Sequence, residues 1–191
     1  MSLDPGLAPT YFCNRAAVMV RLETMEENSQ RMKIVTAETI AELLSRATTS
    51  SRKRMNLNLH AQPNDSVSRF LNAGVAGTYV RPHRHRIDRW ELVSVLQGRF
   101  DVVIFTPEGV VKRRVILGSQ DASLAEIPGG EWHSVVFHAP AAVVLEVTAG
   151  PYEPQFDKEF ASWAPPENDP EAARFVSWLE TAAPGDAVSR Q

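Results

Sequence analysis

The sequence predicts a mainly β fold, a sandwich or barrel of short strands with one helix before it and another after it. Between Met55 and Thr148 apolar residues recur with a period of two, and glycine or proline breaks the pattern at short intervals. On either side the apolar spacing changes to three and four residues, the period of a helix.

Taken in order, Pro5, Gly6 and Pro9 mark the first dozen residues as a loose arm, and residues 16–22 read as a short strand. A helix is expected over 37–47, where Ile40, Ala41, Leu43, Leu44 and Ala47 share one face. Thr36 is its cap and Glu38 stands in its first turn. Met55, Leu57 and Leu59 then alternate with Asn56, Asn58 and His60, a half-buried strand. Further strands are expected over 67–73, 77–85, 91–96, 99–106, 110–117, 133–138 and 142–148. Turns at Gly74, Gly98, Pro107-Glu108-Gly109, Gly118, Pro128-Gly129-Gly130 and Pro140 separate them. Past Gly150, Asp169-Pro170-Glu171 is a helix-start signal; Phe175, Trp178 and Leu179 give that helix an apolar face, and Pro184-Gly185 stops it. The division is residues 1–54 as arm, strand and helix, 55–150 as barrel, and 151–191 as a C-terminal extension, all in one structural domain.

Composition narrows the function. The 191 residues are 43% hydrophobic and 23% charged, with a net charge of −3, so nothing in the charge balance favours nucleic acid or an anionic membrane. No apolar run approaches a membrane span. One cysteine, Cys13, rules out an internal disulfide and a cysteine-rich metal site. The expected setting is the cytoplasm, with a small molecule as ligand.

The chemistry concentrates between Gly77 and Gly98. Residues two apart on a strand face the same way, so His83 and His85 present two imidazoles to one volume. Glu91 opens the next strand, and Pro128-Gly129-Gly130 delivers His133 at the head of another. Three imidazoles and one carboxylate suit iron, manganese, zinc, nickel, cobalt or copper rather than magnesium or calcium, and leave positions open for water or substrate.

This spacing resembles the two cupin motifs: glycine, five residues, His-x-His, a gap, Glu, six residues, Gly; then Pro-x-Gly-x-x-His. The gap between His85 and Glu91 is five residues where three or four are usual, which makes Glu91 the ligand most in need of structural support. More narrowly, the chain is similar to the WbuC-type cupin metalloproteins. The similarity rests on Asn58-Leu59-His60, Arg69-Phe70-Leu71-Asn72-Ala73, Thr78 to His85, Trp90-Glu91-Leu92, Trp132-His133-Ser134, Gly150-Pro151-Tyr152, Asp157 to Ala161 and Trp163-Ala164-Pro165. The resemblance implies a double-stranded β-helix, the cupin jelly-roll barrel, holding one divalent transition metal. It also implies a homodimer and a link to bacterial surface-polysaccharide synthesis.

Other residues are candidates with plainer alternatives. Tyr79 and Arg81 share the face of His83 and His85 if alternation continues through Pro82; Tyr79 then moves protons and Arg81 anchors an anion. Asn56, Asn58 and His60 line either the cavity or the solvated side, with His60 a candidate proton carrier and Asn58 and Arg69 candidate substrate contacts. Glu146, inside an apolar run, is a general base, a partner to a ligand histidine, or a residue of the outer sheet. His138, Trp163 and Trp178 are expected to be structural. The site fits an isomerase, an epimerase or a dioxygenase acting on a small anionic or sugar-related metabolite, a non-catalytic ligand-binding cupin, or a barrel that a structural metal staples.

Overall fold

Thr36 accepts the Thr39 N–H on its hydroxyl at 3.2 Å, and the Thr39 hydroxyl accepts the Thr36 N–H at 3.4 Å. This reciprocal cap starts α1 (Ala37–Thr49) where the sequence places it. A computed structural model describes residues 32–118, 120–155 and 157–188; the strand expected over 16–22 and Cys13 lie outside these.

Two five-stranded antiparallel sheets follow. The first joins β1 (Arg54–Asn58), β2 (Val67–Val75), β4 (Glu91–Gln97), β7 (Leu124–Ile127) and β9 (Ala141–Ala149) in the order β1-β2-β9-β4-β7. The second joins β3 (His83–Arg84), β5 (Phe100–Phe105), β6 (Val111–Leu117), β8 (Trp132–Phe137) and β10 (Glu159–Phe160) in the order β10-β3-β8-β5-β6. Chain order alternating between two sheets in this way is the cupin jelly roll. Gly98 makes the β4–β5 turn with φ +83°, and a Cβ there would collide with the Ala141 carbonyl.

The alternation of side chains sorts the apolar residues into three layers. Between the sheets lie Val93, Phe100, Val102, Leu117, Val135, Phe137 and Val144. On the outer face of the first sheet, Leu43 and Ala47 of α1 pack on Leu71, Ala73 and Val143. On the outer face of the second, α2 (Ala172–Thr181) buries Phe175, Val176 and Leu179 against Val103, Phe105 and Trp132. Arg114 closes the end of α2 by donating to the carbonyls of Leu179, Glu180 and Ala182, and the fully buried Asp101 holds it at 2.6 Å. His138 contacts the same Asp101 at 2.9 Å, a structural position.

The sequence pattern overstates one strand and hides two. Of residues 77–85 only His83–Arg84 is strand, because Pro82 has no N–H for a ladder. The alternation is also offset there: Val80 joins the interior layer while Tyr79 packs on the α2 side. The short strands β7 and β10 carry too few residues to display a period. The C-terminal helix begins at Ala172, since the Asp169 carboxylate caps a preceding turn, accepting the Glu171 N–H at 2.8 Å.

Where β6 meets β7 the sheets close on each other. The opposite edges, β1 of one sheet and β10 of the other, bound the open side of the barrel.

Candidate metal centre

His83 on β3 stands directly across from His133 on β8, and their rings are 4.4 Å apart between centroids. His85 follows β3, and Glu91 heads β4 on the facing sheet. One ligand atom from each of His83, His85, Glu91 and His133 lies within 4.8 Å of the others, and all four residues are buried. The set can hold a metal ion.

The outer nitrogens decide how. His83 Nδ1 donates to the Arg81 carbonyl at 2.9 Å, His85 Nδ1 to the Asp157 carbonyl at 2.6 Å, and His133 Nδ1 to the Glu131 carbonyl at 3.0 Å. A carbonyl only accepts, so each ring carries its proton on Nδ1 and turns the Nε2 lone pair inward. The Nε2 atoms of His83 and His133 are buried with no hydrogen-bond partner. Those of His85 and His133 face Glu91 Oε2 at 3.0 and 3.2 Å. Lone pairs opposed at that range repel unless a proton or a cation stands among them, so the residues present fit a metal ion.

The charges agree. Burial above all, then the positive charge of Lys158 and the neighbouring His133 ring, hold His83 well below the ordinary imidazole range, so it stays neutral. Burial alone would raise Glu91, but its contacts with His133 and His85 and the charge of Lys158 hold it well below the usual carboxylate range.

The five residues between His85 and Glu91 have a structural use. Arg89, in this longer hairpin, is buried and pairs with the buried Asp157 at 3.1 Å, and Asp157 is the residue whose carbonyl orients His85. The extension therefore reaches the C-terminal segment without drawing Glu91 away. A surface cleft beside it is lined by Arg86, Asp88, Arg89 and residues 149–151 and 153; its two arginines are already paired, with Asp88 and Asp157.

Glu146 shares the interior face with Val93, its partner across the ladder. Asn72 donates to it at 2.6 Å. Burial, then the negative charge of Glu91, pushes the Glu146 carboxyl well above the usual range. Asn56 and Asn58 share the face of Asn72 and Phe70 across β2, so they line the open side, where Asn56 donates to Asn58 at 2.9 Å. His60 sits at the rim, its ring edge-on to Phe70 and its Nδ1 accepting the Arg69 N–H at 3.1 Å.

Three expected site residues point elsewhere. The Tyr79 hydroxyl donates to the Pro165 carbonyl at 2.7 Å, and its ring packs on Phe175; burial pushes the phenol well above its ordinary range. Arg81 donates to the Ala164 and Ala161 carbonyls at 3.1 and 2.9 Å, clasping the C-terminal segment. Arg69 faces outward and pairs with Asp65 at 3.1 Å. The break in alternation at Pro82 removes Tyr79 and Arg81 from the face of the histidines, and an odd position on β2 does the same for Arg69. Conversely, Asn72, Asp157 and Lys158 border the site. In the sequence Asn72 is signalled by its alternation with Leu71 and Ala73, and Asp157 and Lys158 only as part of the stretch Asp157 to Ala161 that carries the resemblance.

Comparison with known proteins adds the following. Residues 35–117, under half of the chain, match the model of a domain of unknown function, DUF6016. No curated protein matches the sequence. Among solved structures, a cupin-2 domain from Rhodospirillum rubrum is 18% identical over 67% of this chain and 80% of its own, with a TM-score of 0.47. CapF, solved with the inhibitor 3-isopropenyl-tropolone, is 15% identical over 59% of this chain, with a TM-score of 0.49; the match spans only 32% of CapF. Oxalate oxidase in complex with the substrate analogue glycolate is 16% identical over 59% of this chain and 57% of its own, with a TM-score of 0.44. The fold of the present chain is that of a cupin, a jelly roll of two five-stranded sheets with a four-residue candidate metal centre between them.

Proposed function

We propose that this protein is a metal-dependent cupin enzyme that binds one divalent transition metal through His83, His85, Glu91 and His133 and acts on a small anionic or sugar-related molecule. The observation that carries the reading is the common tautomer: three imidazoles fixed through Nδ1, with their Nε2 lone pairs and the Glu91 carboxylate gathered on one point. Three neutral nitrogens and one carboxylate suit iron, manganese, zinc, nickel or cobalt.

A bound metal ion would supply Lewis acidity, or redox chemistry if it is iron. The protein's own residues do the rest. Glu146, against Glu91 and held by Asn72, offers a proton-carrying oxygen beside the ligands. Asn56 and Asn58 offer amides at the open side for hydroxyl or carbonyl groups of a substrate. A carboxylic acid this close to the ligand set favours turnover over mere binding. The resemblance to the WbuC-type proteins supports a sugar-related substrate in surface-polysaccharide synthesis.

Elemental analysis of the purified protein tests this, beside His83→Ala and His133→Ala. About one metal ion per chain in the parent and its loss in both variants supports the ligand set. A parent that takes up no iron, manganese, zinc, nickel or cobalt after chelation and reloading overturns it.

A further inference from the structure

The pairing of β10 with β3 sets Phe160 opposite His83 and Glu159 opposite Arg84. Residues opposite each other on a ladder share a face. The Phe160 ring lies 6.2 Å from that of His83 on the inner side, and Glu159 meets Arg84 at 2.7 Å on the outer side. Continued by one residue, the register sets Lys158 opposite His85, and alternation gives it the face of Phe160 and the histidines. The bond from His85 to the Asp157 carbonyl, at 2.6 Å, confirms that the chain is still alongside there.

Lys158 is exposed, at the edge of the second sheet that bounds the open side. The register therefore places Lys158 on the histidine-bearing face of the ladder, at the open edge of the barrel. The segment that carries it is fixed at both ends: the Arg89–Asp157 pair precedes it, and behind it the Ala161 N–H donates to the Pro82 carbonyl at 2.9 Å while Arg81 holds the Ala161 carbonyl. Across the opening the wall is neutral, formed by Asn56 and Asn58.

We infer that Lys158 is a binding residue that anchors the negatively charged end of the ligand, a small carboxylate monoanion entering between β1 and β10 with its other end toward the metal ligands. The inference rests on the metal-centre reading and adds a substrate class to it. Among the described residues Lys158 supplies one positive charge at the opening and the amides opposite it add none, so the ligand class is a monoanion.

The test uses the full chain loaded with cobalt(II), titrated with acetate at constant ionic strength and followed by the visible bands of the ion. Lys158→Met should bind cobalt as the parent does and acetate roughly ten- to a hundredfold more weakly. Lys158→Arg should recover most of that loss, and uncharged acetamide should bind parent and Lys158→Met alike. Acetate affinity in Lys158→Met within about twofold of the parent, or equal weakening toward acetamide, overturns the inference. If the parent takes up no cobalt, the metal reading fails by itself, and calorimetric titration of the metal-free chain with acetate decides this one. Lys158-dependent binding there sustains the anchor, and its absence overturns it.

Discussion

Asp157 accepts the Nδ1–H of His85 on its backbone carbonyl at 2.6 Å, while its carboxylate meets Arg89 at 3.1 Å. One residue thus couples the orientation of a candidate metal ligand to a buried ion pair. Removing one partner of such a pair leaves the other charged and buried, a loss of about 3–5 kcal/mol. Arg89→Ala should therefore lower stability and also free the 157 segment, weakening metal binding by roughly ten- to a hundredfold. Competition against a chelator, run beside thermal unfolding, measures both. Destabilisation with unchanged metal affinity would detach Arg89 from the centre.

Metal loading itself should stabilise the fold. The lone pairs of His83 and His133 have no partner in the absence of an ion, and an ion bound only by the folded chain adds about 2.7 kcal/mol at a free concentration of ~100 Kd. For a chain of this length that is a rise in Tm of roughly 5–10 °C. The rise should depend on metal concentration, reverse with chelator and vanish in His83→Ala. Equal Tm values with and without metal would sink the assignment.

How far the sequence reveals this site depends on which interactions are local. The four candidate ligands are legible because the His-x-His step and the Pro-Gly turn are features of backbone geometry carried by adjacent residues. Glu91 is the harder case: its longer gap makes sense only when Arg89 is seen to reach Asp157, far along the chain. Tyr79 and Arg81 were legible as neighbours of the histidines but not as outward-facing, because the offset at Pro82 depends on what the second sheet offers residues 77–82. Lys158 was out of reach. It comes to the site through β10, two residues long, whose place is fixed by pairing with β3 and by no period of its own.

Glu167, paired with the first residue of β1, gives a pH prediction. It joins Arg52 and Arg54 at 2.7 and 2.9 Å, and Arg54 also donates to the Tyr79 carbonyl. Burial would raise Glu167, but the two arginines outweigh it and lower its pKa. A carboxyl with a lowered folded pKa stabilises fully above its unfolded value and loses that contribution as pH falls through the folded one. Glu167→Gln should thus be less stable than the parent at neutral pH, by about 1 kcal/mol for a pair this exposed. The difference should close as pH drops below about 4.3, the ordinary Glu value, and through the lowered one. Unfolding midpoints of both proteins from pH 7 downward would show it, and a gap that does not change with pH would mean the ion pair contributes nothing.

Gly129 ties the second motif to the hairpin of the first. A Cβ at this position would fall inside the van der Waals radii of the Arg86 and Ile87 carbonyl oxygens. These are backbone atoms, so they cannot swing aside as a side chain would. Next to it, Gly130 donates its N–H to the His85 carbonyl at 3.0 Å, with φ +82°. Gly129→Ala must therefore push the 86–87 turn outward, away from the loop that delivers His133, and pull on His85 through that bond. We expect a loss of about 1–3 kcal/mol, a drop in Tm of roughly 2–12 °C, and weaker metal binding than the stability loss alone explains. As a control, Gly185→Ala meets no atom within 4 Å and should show only the cost of its φ of +99°, with metal affinity intact. If Gly129→Ala binds metal as tightly as Gly185→Ala does, the contact between the two motifs does not shape the centre.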